Sequence, residues 1–467
     1  MLDLAAALAL AAVVPVVDAP AGVIQGQVED EIAVYRGIPY AQPPVGPRRW
    51  VAPQPLKRWT APLAASRFGS VCMQAPPKGD TGTGIETPSE DCLTLNIWAP
   101  AGARRLPVMV WLHGGGYTGG SGSAALYDGR ALAARDVVLV TINYRLGRFG
   151  FFGHPQLDGA NFGLLDQRAA LRWVHDNIAA FGGDPARVTL FGNSAGGESV
   201  LFHMTSAGSR GLFHRAIVQS GLGGRALRTA ATSIDSARTT TPIAELRALP
   251  ATAILDWGAP SLYRGFGPII DGRTVTAPIE AVFQAGKQAQ VPMIIGYNGF
   301  EIPPAFAAGA AALAGHDAAE RTRAIAAYGS VAAYEEHIAS DALFRAPALR
   351  LARLHARMGA PTWTYEFDVV SPAAAARLSG APHASERAYV FGNLRQLGWP
   401  TDARDISVAG DLGARWTRFA ATGTPVALAR QWPRARAGDA RPFVLKHDPA
   451  ARSAPMTPAL ARYFGLE

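Results

Sequence analysis

Short apolar runs without polar alternation recur along this chain, and they decide which folds are open to it. Val108–Leu112 reads VMVWL, Val137–Ile142 VVLVTI, Val188–Phe191 VTLF, Ala216–Gln219 AIVQ and Met293–Gly296 MIIG. Leu93–Trp98 (LTLNIW), Thr362–Phe367 (TWTYEF) and Phe443–Lys446 (FVLK) are further strand candidates, rich in β-branched or apolar residues. A strand wetted on one face alternates apolar with polar side chains, whereas a strand covered on both faces has no reason to alternate. The runs are short and bounded by Gly, Pro or Asn, as strands are. Between them lie stretches with helical spacing. Leu164–Phe181 sets Leu164, Leu165, Leu171, Val174 and Ile178 on one face, with Asp166, Arg168, Arg172 and Asp176 between them. Arg415–Ala421 reads as a late helix. Ala305–Ala356, rich in alanine, reads as several helices inserted after a strand to cap a pocket. The fold expected is α/β, with a central, mostly parallel sheet flanked by helices.

Nothing divides this pattern. There is no internal repeat and no linker, so a single domain is expected over residues 22–467. Large α/β domains reach this size without splitting. Hydrophobic residues are 49% of the 467 and charged residues 17%, which supplies a large core and excludes a disordered chain. The net charge is +8. Its Arg residues are scattered, with no basic run longer than a pair, so no nucleic-acid partner is expected.

Residues 1–21 form a leader-like segment. LDLAAALALAAVVPVV has the apolar character of a secretory signal, although Asp3 stands where a positive charge is usual. Ala9-Leu10-Ala11 and Ala19-Pro20-Ala21 both offer small residues for cleavage. The stretch is too short and too alanine-rich for a membrane span, so a secreted or periplasmic protein without stable membrane insertion is expected. Cys72 and Cys92 are the two cysteines. They are too few for a disulfide scaffold and lack a metal-ligand pattern, so no metal or other cofactor is expected. Either they close the Pro- and Gly-rich loop between them or they are two separate buried thiols; a bridge would agree with export.

Gly192-Asn193-Ser194-Ala195-Gly196 matches G-x-S-x-G. The match gains weight from its context, because VTLF runs into it and Gly197–His203 can start a helix. Such a strand-to-helix turn presents the serine oxygen at the sheet edge, above a helix N-terminus. His113-Gly114-Gly115-Gly116-Tyr117 follows another strand, and the N–H groups of Gly115, Gly116 and Ala195 can converge on an oxyanion. A nucleophilic serine needs a base, and the base an orienting acid; behind a strand-to-helix serine turn of this kind they follow in the chain order serine, acid, histidine. Of His214, His316, His337, His355, His383 and His447, His383 lies in the turn-rich Gly380–Glu386 after a strand. His316, His337 and His355 fall in expected helices. Glu301, just beyond MIIG, is the acid of choice. Asp271 competes, but its Asp-Gly pair suits a simple turn. Asn193 and Ser199 are expected to support the site from behind the serine.

These motifs together resemble the type-B carboxylesterase family. The resemblance runs from about Val16 to the C-terminus and includes Gly37–Ala41, Glu90–Asn96, the HGGGY run, Asn143-Tyr144-Arg145, Phe181–Pro185, the serine turn and GAPHASE. It implies an α/β-hydrolase fold and a triad of Ser194, Glu301 and His383, with the oxyanion hole at Gly115, Gly116 and Ala195. It also implies a Cys72–Cys92 disulfide and a structural Arg49–Glu90 ion pair. The chain departs from the family pattern at Asn193, where Glu is usual, and at Phe300-Glu301-Ile302, where Asp-Glu-Gly is usual. Leu222–Ile254 is shorter than usual, and the loop between the cysteines lacks the Trp that choline-binding relatives carry. The resemblance implies a serine hydrolase for neutral, fairly apolar small-molecule esters. A specialised ester, carbamate or amide is the alternative, and a non-catalytic scaffold is the rival from another class.

Overall fold

The computed structural model describes residues 14–75, 87–224, 227–229, 240–257, 266–302, 317–426, 432–439, 441–447 and 456–466. Residues 1–13 of the leader-like segment, most of the loop between the cysteines, and His316 lie outside them. The strands are β1 (Val16–Ala19), β2 (Gly22–Gln25), β3 (Gln27–Glu29), β4 (Ile32–Pro39), β5 (Leu63–Ala64), β6 (Thr94–Pro100), β7 (Leu106–Leu112), β8 (Val138–Ile142), β9 (Gly183–Asn193), β10 (Arg215–Gln219), β11 (Arg228–Thr229), β12 (Ile269–Ile270), β13 (Met293–Asn298), β14 (Thr362–Phe367) and β15 (Phe443–Leu445). Ten of them make one sheet, in the order β15-β14-β13-β10-β9-β7-β8-β6-β4-β3. It is parallel from β15 to β8 and antiparallel from β8 to β3.

The apolar runs explain themselves in this sheet. Along β7, Val108, Val110 and Leu112 enter one core, while Met109 and Trp111 enter another. Strand β8 repeats the division, with Val138, Val140 and Ile142 on one side and Leu139 on the other. Each face therefore has its own core, and polar side chains admitted to the strands, such as Thr141 of β8, which donates to the Gly122 carbonyl, are buried as well. Trp111, fully buried, packs against Tyr127, Phe191 and Phe391 with ring centroids 4.8–5.0 Å apart. Burying a side chain of this size contributes roughly 2–3 kcal/mol.

The helix expected from Leu164 begins at Phe162 and runs to Asn177, tightening into a 3₁₀ turn through Phe181. The late helix is longer than its apolar face suggested, Ala403–Thr422, and opens on a capping box at Asp402 and Asp405. Among the described residues, the alanine-rich insert holds helices Ala318–Tyr328, Val331–Ser340 and Ala346–Arg357, with a π turn at Asp341–Arg345.

One boundary differs from expectation. Residues 16–21, grouped on sequence with the leader-like segment, are built into the fold. β1 pairs with β2, the Ala21 N–H donates to Asn177 Oδ1 at 2.8 Å, and the Gly26 N–H donates to the Pro15 carbonyl. Cys72 and Cys92 are bridged, with Cα atoms 5.0 Å apart. Arg49 reaches Glu90 through two hydrogen bonds of 2.7 and 2.5 Å.

Strand register sets the site. Gln219 of β10 lies opposite both Asn193 of β9 and Gly296 of β13. The segments leaving β9, β10 and β13 at their C-terminal ends are thus neighbours along one edge of the sheet, where open α/β sheets place their ligands.

Candidate active site

Ser194 stands between β9 and the helix Ala195–Thr205. Its φ is +58° and ψ −124°, a strained conformation for a side-chain-bearing residue. From Val188 to Met204 it is the one residue that is not buried. The turn closes because Gly196 has no side chain: a Cβ there would lie 2.0 Å from the Leu112 carbonyl oxygen. The Ser194 N–H donates to the Gln219 carbonyl at 2.8 Å, which ties the turn to β10.

The second half of the site is made of side chains. His383 Nδ1 lies 2.6 Å from Glu301 Oε2, and the His383 N–H donates to the Glu301 carbonyl. Glu301 is 1% exposed and His383 28%, so the acid is sealed and the imidazole keeps one edge open. Glu301 Oε1 accepts from Ser220 Oγ at 2.6 Å and from the Asn298 N–H at 2.7 Å. A buried carboxylate supplied with these donors is held in one orientation. Ser220 and Ala384, like Ser194, have positive φ, at +49° and +67°. Phe344 packs its ring 4.8 Å from that of His383.

The other acid and histidines are occupied elsewhere. Asp271 Oδ1 accepts from the N–H groups of Arg273, Thr274 and Val275, and its Oδ2 from Asn161, so it caps its own turn. His355 is buried between Gln288 and the Val291 carbonyl, and His337 lies beside Glu336 on the surface. His214 accepts from the Val188 N–H, and His447 lies 3.3 Å from Asp405. His113, beside the glycine run, is lowered by burial to about 4 and is neutral.

Around the glycine run, Gly115, Gly116 and Tyr117 all have positive φ. The Tyr144 hydroxyl donates to the His113 carbonyl at 2.6 Å. Asn143 Oδ1 accepts from the Gly122 N–H, and Arg145 forms a two-point ion pair with buried Asp166. Each residue of Asn143-Tyr144-Arg145 thus has a separate task. Ser199 Oγ donates to the Tyr117 hydroxyl at 3.3 Å, beneath the same loop.

Asn193 has a partner that its motif did not announce. Its Nδ2 donates to Glu386 Oε1 at 2.7 Å, and Gln219 Nε2 donates to the same oxygen at 3.2 Å. Glu386 is fully buried, and burial first, then the charge of Glu301, raises its pKa above the ordinary carboxyl value. A side-chain hydrogen bond from Asn298 acts against the upward shift without reversing it. Ser220, Asn298 and Glu386 were not singled out by sequence. The nearest signal was position, since Ser220 directly follows AIVQ and Glu386 ends GAPHASE.

A model of the Carboxylesterase family matches residues 13–328 and 326–459. The para-nitrobenzyl esterase of Bacillus subtilis (strain 168) is 35% identical over 450 residues, covering 88% of this chain and 91% of its own. The fumonisin B1 esterase of Sphingopyxis macrogoltabida is 35% identical over 455 residues, covering 88% and 83%. The phenmedipham hydrolase of Pseudarthrobacter oxydans is 35% identical over 473 residues, covering 91% and 94%. A solved structure of PNB esterase matches this fold with a TM-score of 0.83 at 32% identity, over 93% of this chain and 96% of that one. Sequence, architecture and family profile agree along nearly the whole length, and the chain belongs to the carboxylesterase family.

Proposed function

We propose that this carboxylic-ester hydrolase cleaves neutral, fairly apolar esters through an acyl-enzyme on Ser194. Ser194 Oγ attacks the ester carbonyl carbon while His383 Nε2 takes its proton. Glu301, bonded to Nδ1, holds the imidazole in the required tautomer and stabilises the imidazolium. The N–H groups of Gly115, Gly116 and Ala195 receive the oxyanion, and His383 returns the proton to the departing alcohol oxygen. Water, activated by the same histidine, then releases the acid. The observation that carries this reading is the half-buried, strained Ser194 in an otherwise buried turn, together with the 2.6 Å His383–Glu301 bond.

The test is hydrolysis of a short-chain aryl ester by folded Ser194→Ala. The expected loss is at least about 10⁴-fold, and retention of a tenth of the wild-type rate overturns the assignment. An organophosphonate is expected to label Ser194, and a label on another residue has the same force.

The absence of a charge at Asn193, and of a Trp between the cysteines, supports neutral esters over choline esters. Three relatives of equal identity are named for p-nitrobenzyl, fumonisin B1 and phenmedipham substrates. That spread keeps a specialised ester, carbamate or amide as the second reading. Relative kcat/KM across a panel of the four classes decides between them.

We also infer export, with cleavage near Ala9-Leu10-Ala11. Cleavage after Ala21 would remove β1, which pairs with β2. N-terminal sequencing of protein recovered outside the cytoplasm checks this; a mature chain beginning at Gly22 refutes it.

A further inference from the structure

An oxyanion hole made of glycine N–H groups has no side chains by which it can be held. The loop must be fixed through its backbone. Part of the restraint is local: the Gly115 carbonyl accepts from the N–H groups of Thr118 and Gly119 and from Thr118 Oγ1. The Tyr144 hydroxyl and the Gly147 N–H hold the His113 and Tyr117 carbonyls, and a further restraint comes from a residue distant in sequence. Gln74 Oε1 accepts from the Gly120 N–H at 2.9 Å, and its Nε2 donates to the Gly120 carbonyl at 3.0 Å. The same Nε2 donates to the Cys72 carbonyl at 3.0 Å. The amide is 4% exposed, so water does not compete for these bonds. Gly120 in turn lies tightly against the start of the loop, since a Cβ on it would be 2.5 Å from both the Gly114 carbonyl oxygen and His113 Nδ1. Gly114 borders the nucleophile: a Cβ there would lie 3.2 Å from Ser194 Cβ.

We propose that Gln74 is a positioning residue for the oxyanion hole. Acting through Gly120, it holds the loop Gly114–Gly119 in register with Ser194, and the Cys72–Cys92 bridge two residues away holds the backbone that carries Gln74. The disulfide loop is therefore part of the catalytic framework. This inference rests on the proposed roles of Ser194 and the glycine N–H groups.

Gln74→Met keeps the length of the side chain and removes all three hydrogen bonds. Removing one oxyanion donor outright costs 10²–10³-fold in other serine hydrolases, so loosening the loop is expected to lower kcat by about 10- to 100-fold. KM is expected to stay within about threefold, because the loop serves the transition state more than the ground state. A trifluoromethyl ketone, which forms a tetrahedral adduct with the serine, is expected to lose affinity by the same factor as kcat/KM. Inhibition by the product alcohol is expected to be unchanged. Gln74→Glu retains an acceptor for the Gly120 N–H and is expected to fall between Gln74→Met and wild type. If Gln74→Met does not fold, Gln74→Glu carries the same comparison. A variant with lowered Tm but kcat within twofold of wild type overturns the proposal, since the role is then structural only. Equal losses for the ketone and the product alcohol overturn it as well. Ser194→Ala separates the two levels: an active Ser194→Ala breaks the reading of the site, whereas an inactive Ser194→Ala beside a wild-type-like Gln74→Met breaks only this inference.

Discussion

The two halves of the site are held by different physics. On the nucleophile side, backbone meets backbone: the Ser194 turn packs against the end of β7 so closely that Gly196 leaves no room for a Cβ. On the base side, hydrogen bonds hold side chains: Ser220 and the Asn298 backbone N–H fix Glu301, Glu301 fixes His383, and Glu386 is joined to Asn193 and Gln219. Steric exclusion tolerates no substitution, because a backbone carbonyl cannot move aside. A hydrogen-bond network loses strength bond by bond and can be retuned. Point changes on the first side should therefore remove the site, and those on the second should grade it.

The largest expected effect tests the steric side. Gly196→Ala should cost at least about 3 kcal/mol of stability, as severe overpacking does, and any folded fraction should be inactive. Chemical denaturation and the aryl-ester rate measure both. A variant of normal stability and rate would mean that the turn has slack, and the contrast between the halves would collapse.

The next expected effect belongs to the acid. Glu301→Gln should lower kcat by about 10³-fold, because the imidazole loses its charge partner and its enforced tautomer. Asp271→Asn should leave kcat within about threefold, since surface turn caps act on stability. If Asp271→Asn proved the more damaging with both variants folded, the assignment of the acid would be reversed.

Ser220→Ala removes one of the two hydrogen bonds to Glu301 Oε1 and leaves the Asn298 N–H. A single hydrogen bond to a charged group contributes about 1.5–3 kcal/mol, so a loss of about 10- to 100-fold in kcat is expected. A loss as complete as that of Glu301→Gln would show that the network fails as a unit instead of by degrees.

The smallest effect concerns Glu386 and is read in stability. Its folded pKa is raised above the unfolded value, so the folded state holds the proton more tightly. Stability is full below the unfolded pKa near 4.5 and declines as pH rises through the folded one. Glu386→Gln removes the charge that burial disfavours and keeps an acceptor for Asn193. It should be more stable than wild type by about 1 kcal/mol at pH 9 and no more stable at pH 4. Denaturation at the two pH values checks the sign, and a gain confined to acid pH would mean that Glu386 is ionised in the native protein.

The contrast also explains what could be read in the sequence. Steric exclusion leaves glycine no alternative, so the serine turn and HGGGY stand out as letters. Most parallel strands were equally legible, because two buried faces favour apolar runs, and Thr362–Phe367, where Thr and Glu alternate with aromatic residues, still matched its strand residue for residue. Strand β9 started earlier than expected, at Gly183, because Gly183, Asp184, Pro185 and Arg187 at its start break the apolar pattern. The N-terminal strands β1–β5 were not seen at all. Most are only two to four residues long and half wet, so they carry no run. Gln74, Ser220 and Glu386 went unnoticed for a further reason: a lone polar residue in a loop or at a strand end looks the same whether it faces water or a buried partner.

The π turn at Asp341–Arg345 has a consequence for insertions and deletions. A π turn holds more residues per turn than the α-helices on either side of it. Deleting one residue within the turn would let it close as an α-helical turn with both flanking helices nearly in register, whereas deleting one residue from Val331–Ser340 would rotate everything beyond it by about 100°. After that second deletion Phe344 would leave the His383 ring, and Leu349, Leu351 and Leu354 would turn away from the core they now fill. In the numbering of the gene, His383, the proposed base, is dozens of codons downstream; in space, a one-codon deletion in the helix before the turn would be felt at its imidazole, while the turn itself could absorb one.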